Sequence, residues 1–282
     1  MARRPVGLLA GSGRFPITFA HKARSVGIPV VCVGIRHEAS GELADLVDRF
    51  YWAGIARLGR MIRCFKRESV EQIVMAGKIT KSLIYTPWIV FSMLPDWRTI
   101  RLWYGRRPDN RDDTLLLEVI REFERDGLRF ASALDLCPEL LVEPGVLTRR
   151  KPTRREESDI AFGWQLAKEM GRLDVGQSVV VKDRAVLAVE AIEGTDRAIM
   201  RAGELCRAGD FVVVKVSKPQ QDPRFDVPTV GQMTIETMHR SRGRVLAIET
   251  GKTIILDQAD TVSLADRYGI SIVAVSGGPD LV

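Results

Sequence analysis

Val6 to Ala10 is a short apolar run that stops at a glycine turn, Gly11-Ser12-Gly13-Arg14-Phe15-Pro16. An amphipathic stretch from Ile17 to Val26 follows, then a β-rich run from Pro29 to Gly34. Strand, glycine turn, helix and second strand make up one Rossmann-like unit. The alternation continues. Gln72 to Ala76 reads as a strand ending in Gly77-Lys78. Asp113 to Asp126 reads as a helix with Leu116, Val119, Ile120 and Phe123 on its apolar face, closed by Gly127. Phe130 to Leu134 reads as another strand. The expected fold class is α/β, with a Rossmann-like N-terminal domain on a mostly parallel sheet and a distinct α/β C-terminal domain.

The turn after the first strand carries only half of a dinucleotide fingerprint. Pro16 replaces the third glycine, and the second strand ends Val33-Gly34-Ile35-Arg36 with no acid for a ribose hydroxyl. That counts against a nicotinamide-dependent oxidoreductase. Gly11 and Gly13 keep two readings, a tight turn into a helix or a phosphate held by the helix N-terminus. Lys78 lies in a comparable turn, which lacks the glycine spacing of a Walker loop. Between Ile84 and Tyr104 stand Trp88, Trp97 and Trp103 with Phe91, Met93 and Leu94. The ordinary reading of this cluster is core or dimer face; the functional one is a wall for acyl chains or a membrane-touching surface.

From Cys137 the chain becomes proline-rich and basic, with Pro138, Pro144-Gly145, Arg149-Arg150-Lys151, Pro152 and Arg154-Arg155. This divides it into a first domain at 1–136, a linker at 137–157 and a catalytic second domain at 158–282. In the second domain we expect a helix from Ser158, its N-cap, to Met170 and a strand from Ser178 to Lys182. Arg184 to Ala191 pairs with that strand, a helix runs from Thr195 to Cys206, and Phe211 to Val216 is a strand.

Two segments of the second half carry candidate chemistry. In AVEAIEGTD, Glu190 sits at a strand end, Glu193 in a turn, and Gly194-Thr195-Asp196 at a helix start. Capping accounts for Thr195 and Asp196 but not for the two glutamates. Three carboxylates repel a phosphate unless a cation such as Mg²⁺ bridges carboxylate and phosphate oxygens. Asp112-Asp113 is a weaker acidic pair, equally well read as a helix cap. In KVSKPQQDPRFDVPT, Lys215, Lys218, Asp222, Arg224 and Asp226 crowd into a run stiffened by Pro219, Pro223 and Pro228. If it is extended, Asp222, Arg224 and Asp226 share one face. The lysines and Arg224 suit a diphosphate, while Asp222 or Asp226 suits a metal or a water. An ion-paired surface loop is the competing reading.

The net charge of +6 is spread over local arginine runs. With no RNA-recognition consensus, zinc spacing or sustained basic helix, nucleic acid is not an expected partner. Cys32, Cys64, Cys137 and Cys206 show no metal or disulfide spacing, which fits a reducing cytosol. No apolar segment is long enough to span a bilayer.

LLAGSGRFP, NRDDTLLL, AVEAIEGTD, KVSKPQQDPRFDVPTVG and ETGKTIILD occur in the order and at the distances found in one family, so that from Val6 to about Val275 the chain resembles the UDP-2,3-diacylglucosamine pyrophosphatases of lipid A biosynthesis. The resemblance implies Mg²⁺-dependent cleavage of a lipid-linked UDP-sugar to UMP and 2,3-diacylglucosamine 1-phosphate. It also implies a homodimer, a substrate held between two domains, and a cytoplasmic site with transient contact at the inner-membrane surface. The family's essential RFD aspartate is Asp226 here. On this basis the expected catalytic set is Asp226, Asp222, Arg224, Lys215 and Lys218. Gly11, Gly13, Lys78, Gly194 and Thr195 are expected to touch substrate, and Asp226, Glu190, Glu193 and Asp196 to hold metal. A non-catalytic carrier or sensor of the same lipid-linked nucleotide is the alternative.

Overall fold

The computed structural model describes residues 4–79, 95–104, 112–224 and 227–277, with backbone alone at 103, 104 and 112–115. The chain forms two compact units, Met1–Cys137 and Pro138–Val282.

The first unit is built on five parallel strands: β1 (Val6–Ala10), β2 (Val30–Ile35), β3 (Arg49–Ala53), β4 (Gln72–Ala76) and β5 (Arg129–Ala131). Their order is β3-β2-β1-β4-β5, so the direction of winding reverses between β1 and β4. The helices are α1 (Phe15–Ser25), α2 (Leu43–Leu46), α3 (Leu58–Arg67), α4 (Trp97–Tyr104) and α5 (Asp112–Glu124). Every residue of β1 and β2 is buried, which is why VGLLA and VVCVGI show no polar alternation. Phe123 of α5 joins the core between Phe65 and Phe130, with ring centroids 6.4 and 5.3 Å away. The strand expected from Phe130 to Leu134 stops at Ala131. Ser132 Oγ accepts the Leu134 N–H and starts a short 3-10 turn, Ala133–Asp135, that competes with the ladder.

One carboxylate caps two helices. Asp96 Oδ2 accepts from the N–H groups of Gly59 and Arg60 in the first turn of α3, at 2.7 and 3.3 Å. Its Oδ1 accepts from Thr99 N and Oγ1 in the first turn of α4, at 3.1 and 3.0 Å. Since one lost cap costs about 0.5–2 kcal/mol, Asp96→Ala should destabilise the protein by roughly 1–4 kcal/mol. Denaturant unfolding measures this, and a change no larger than that of a surface substitution would refute the double cap.

In the second unit the strands are β6 (Gly145–Val146), β7 (Ser178–Lys182), β8 (Ala185–Val189), β9 (Phe211–Lys215), β10 (Thr229–Val230), β11 (Gly243–Glu249), β12 (Ile254–Ile255) and β13 (Ser271–Val275). The main sheet runs β6-β13-β11-β9-β7-β8, with β13, β11 and β9 mutually parallel and the remaining pairings antiparallel. A separate parallel pair joins β10 to β12. Helix α6 (Arg154–Arg172) covers one face, where Ile160, Trp164 and Ala167 meet Val179, Val181, Val212 and Val214. Helices α7 (Thr195–Leu205), α8 (Gln232–Ser241) and α9 (Gln258–Tyr268) cover the other, with Ile199, Ile235, Met238 and Leu264 against Val213, Leu246 and Ile272. Because both faces are covered, FVVVK stays apolar at consecutive positions.

Residues 137–157, read from the sequence as a linker, are largely woven into this unit. Leu141 bridges Ile254, Val146 pairs with Val273, and Thr148 Oγ1 accepts the Ile272 N–H at 3.0 Å. Helix α6 starts before Ser158, its expected cap. Thr153 Oγ1 accepts the Glu156 N–H while Glu156 Oε2 accepts the Thr153 N–H at 2.7 Å, a capping box within KPTRREE.

Candidate active site

Four elements of the second unit bring polar side chains to one end of its sheet. Ser178 opens β7 and pairs with Lys215, the last residue of β9. Glu190 follows β8, and its N–H donates to the Ser178 carbonyl at 2.9 Å. Gly176 lets this strand end pack closely, since a Cβ there would lie 2.0 Å from the Glu190 oxygen. Gly194, at φ +85°, then turns the chain into α7, a conformation that favours glycine.

Thr195 stands at the centre. Its hydroxyl donates to Glu190 Oε1 at 3.1 Å and accepts from Lys215 Nζ at 3.1 Å. Ser178 Oγ lies 3.2 Å away and, with the Thr195 proton given to Glu190, is the donor. Lys215 Nζ also donates to the Thr229 carbonyl at 2.9 Å. Thr195 is therefore the first helical residue and a bridge between an ammonium and a carboxylate; the cap position belongs to Gly194. Glu190 and Lys215 are 7% and 5% exposed, so their charges act with little screening by water.

Two buried carboxylate oxygens here have no hydrogen-bond donor, Glu190 Oε2 of this centre and Asp196 Oδ1 on the residue after Thr195. Buried carboxylate oxygens are normally paired, and hard oxygen donors of this kind match Mg²⁺. Among the described residues no three His, Cys, Asp or Glu side chains gather as a metal group. Mg²⁺ needs fewer, because one or two carboxylates, waters and substrate phosphates complete its shell. Glu193 is turned elsewhere: its oxygens accept from Arg201 Nη2 at 2.7 Å and the Ala191 N–H at 3.2 Å.

The segment after β9 is a stitched turn. Lys218 Nζ pairs with Asp174 Oδ1 at 2.7 Å. Asp222 holds Arg224 through its backbone N–H at 3.0 Å and through Nε and Nη2 at 3.0 and 2.7 Å. The side-chain hydrogen bond from Arg224 keeps the Asp222 carboxyl below its ordinary value. The extended geometry considered for Asp222 to Asp226 is thus broken at its start, where the Asp222 side chain captures a backbone donor two residues on. Phe225 and Asp226 lie outside the described residues.

Two members of the same end of the sheet were not among the expected site residues, Lys168 of α6 and Glu249, which opens ETGKTIILD at the end of β11. Glu249 Oε2 accepts from Lys168 Nζ at 2.5 Å and the Ser217 N–H at 2.8 Å, and Oε1 from Lys252 Nζ at 3.0 Å. Burial alone would push the Glu249 carboxyl up. The hydrogen bonds from Lys168, Ser217 and Lys252 outweigh it and leave Glu249 below its ordinary 4.5. A carboxyl depressed in the folded state contributes stability above its unfolded value and loses it as pH falls through the folded one. Unfolding free energy should therefore drop as pH is lowered below about 4.5, and less steeply in Glu249→Gln. Equal slopes in denaturant titrations of the two proteins would remove Glu249 from the acid response.

In the first unit the turns after β1 and β4 bind each other. Ser12 and Lys78 exchange backbone hydrogen bonds at 2.7 and 2.9 Å, and a Cβ on Gly11 would sit 2.5 Å from the Lys78 carbonyl. Gly11 is thus required by its neighbour's backbone. Gly13, at φ +96°, has open space around it, and Lys78 is exposed. These turns lie at the carboxyl ends of β1 and β4, where the winding reverses, the usual ligand crevice of such sheets. Of the aromatic segment, Trp97 is 74% exposed; Trp88, Phe91, Met93 and Leu94 and the Trp103 side chain lie outside the described residues. Among the described residues no helix is long and apolar enough to cross a membrane.

A parallel-sheet unit with a switch point, joined to a mixed-sheet unit holding a lysine–threonine–carboxylate centre, defines a two-domain α/β protein. The chain belongs to the LpxI family: residues 5–140 match the family's N-terminal domain and residues 143–273 its C-terminal domain. It is 30% identical over 283 residues to the UDP-2,3-diacylglucosamine pyrophosphatase LpxI of Caulobacter vibrioides, covering 96% of this chain and 98% of that one. Among solved structures, a nucleoside-diphosphate-sugar epimerase from Pseudomonas aeruginosa aligns at 11% identity and a TM-score of 0.28, over 95% of this chain and 87% of that one. The AnUbiX (PadA1) complex with FMN and dimethylallyl pyrophosphate aligns at 13% and 0.26, over 46% and 77%. Likeness at that level carries no argument.

Proposed function

We propose that this chain hydrolyses the pyrophosphate bond of UDP-2,3-diacylglucosamine to UMP and 2,3-diacylglucosamine 1-phosphate, a step of lipid A biosynthesis. The observation that carries the reading is the end-to-end match to the Caulobacter vibrioides pyrophosphatase, through both family domains. The Glu190–Thr195–Lys215 centre supports it, because buried opposite charges and unpaired carboxylate oxygens suit a diphosphate and its counter-cation.

In the reaction the oxygen of water bonds to one phosphorus as the bridging P–O bond breaks, and a proton is released. Lys215, its ammonium fixed by Thr195 and Thr229, offsets charge growing on the phosphoryl oxygens. Arg224 presents a planar donor fork whose orientation Asp222 sets. Lys218 adds positive charge to the same loop. Asp226 positions the attacking water or binds metal. Mg²⁺, held by Glu190, Asp196 and Asp226, would supply neutralisation of the diphosphate and activation of water. Gly13, Gly194 and Lys78 remain candidates for substrate contact. The proposal also takes the chain as a cytoplasmic homodimer that meets its lipid at the inner-membrane surface, to which its net charge of +6 is suited.

The test is purified protein with UDP-2,3-diacylglucosamine, Mg²⁺ and then chelator, following UMP by mass spectrometry. UMP should appear with Mg²⁺ and stop with chelator. Binding without UMP under any metal condition would instead establish the carrier, and a rate indifferent to chelator would remove the metal.

A further inference from the structure

We infer that Lys168 and Glu249 are a positioning pair that fixes the start of the loop carrying Lys218, Asp222, Arg224 and Asp226; this rests on the pyrophosphatase reading. The pair grips both sides of one residue. Glu249 Oε2 accepts the Ser217 N–H at 2.8 Å, and Lys168 Nζ donates to the Ser217 carbonyl at 3.0 Å. The two side chains meet at 2.5 Å, with Glu249 5% exposed. Ser217 lies two residues beyond Lys215, at the point where the chain leaves β9.

The other end of the loop is held by the same stretch of chain. The Ile254 N–H donates to the Pro228 carbonyl at 2.8 Å, and Thr229 and Val230 pair in parallel with Ile254 and Ile255. Residues 249–255 thus anchor both ends of 217–228. Inside, Ser217 Oγ and the Lys218 N–H both donate to Gln221 Oε1, at 2.8 and 2.9 Å, so the position of Ser217 passes directly to the turn before Asp222. A surface ion pair is worth little, but a half-buried lysine on a buried carboxylate, with two backbone hydrogen bonds between them and one residue, has one defined geometry. Displacing a catalytic loop by about 1 Å can slow chemistry on the order of a hundredfold.

The experiment compares wild type, Glu249→Ala and the double variant Lys168→Met/Glu249→Gln. The double variant leaves no buried unpaired charge and keeps an acceptor for the Ser217 N–H, so it reads the pair even where Glu249→Ala fails to fold. Hydrogen exchange of peptide 217–228 is followed beside UMP release. In the folded variants that peptide should lose protection while the β7 and β13 peptides keep theirs. kcat should fall by about 10–100-fold with KM changed by less than about threefold. Unchanged protection at 217–228, or wild-type kcat with protection lost, would overturn the pair's role. Absence of UMP from the wild type would instead sink the pyrophosphatase reading, leaving the exchange result to stand on its own.

Discussion

Asp226→Ala is expected to cut UMP release by about a thousandfold or more while substrate stays bound. The proposed function takes the RFD aspartate as essential, and the bonds of the neighbouring described residues suggest that its loss should be clean. Asp222 already fixes Arg224 with bonds from its backbone and guanidinium. Glu249 holds the loop at Ser217, and Ile254 holds it at Pro228. The atoms of these bonds belong to other residues, so removal of the Asp226 carboxylate should leave the bonds in place. Substrate affinity, drawn from the uridine, the sugar and the acyl chains, should persist, and titration calorimetry on the inactive variant measures it. Asp226→Asn separates charge from shape: similar inactivity assigns the effect to the carboxylate's charge. Residual turnover within about tenfold of wild type, or loss of binding together with rate, would take Asp226 out of the chemistry.

What the sequence discloses here depends on how far apart the interacting residues lie. β1, β4 and β7 have the bounds that their apolar runs suggest, because each is a short continuous run closed by turn residues. The start of α6 was also written locally, as Thr153 three residues before Glu156, but the surrounding prolines and arginines gave that stretch the look of a linker. Glu190, Thr195 and Lys215 stood out as chemistry-bearing types, yet the hydroxyl bridge between them needs β8, α7 and β9 folded together. Lys168 lay in no motif, and Glu249, though it opens ETGKTIILD, carried no sign of its role. Each is an ordinary charged residue in its own segment, and their partnership spans 81 positions. Asp222 shows the opposite error: the prolines argued for extended backbone, and a side-chain hydrogen bond of the Asx type won locally.

Glu190→Gln should separate stability from activity. The side-chain amide carbonyl of the variant would still accept the Thr195 hydroxyl, so the bridge to Lys215 survives. What changes is Oε2, a buried carboxylate oxygen with no donor, which becomes a neutral amide nitrogen. Replacing a donor-less anionic oxygen by a neutral group lowers the desolvation cost, while the loss of negative charge near the buried Lys215 ammonium opposes it, so in chelator the variant should be about as stable as wild type. Mg²⁺ should then raise the melting temperature of wild type, because a ligand that binds only the folded state stabilises it by mass action, and should do so far less for the variant. UMP release should fall by about a hundredfold, with partial recovery at high Mg²⁺. If Glu190→Gln is less stable in chelator, the carboxylate is chiefly a partner of Thr195 and Lys215. If Mg²⁺ stabilises both proteins equally, the metal is held elsewhere. The combination of retained stability, lost metal response and lost turnover is what a carboxylate with one oxygen kept open for a cation should produce, because the cost of burying that oxygen is recovered only when the cation binds.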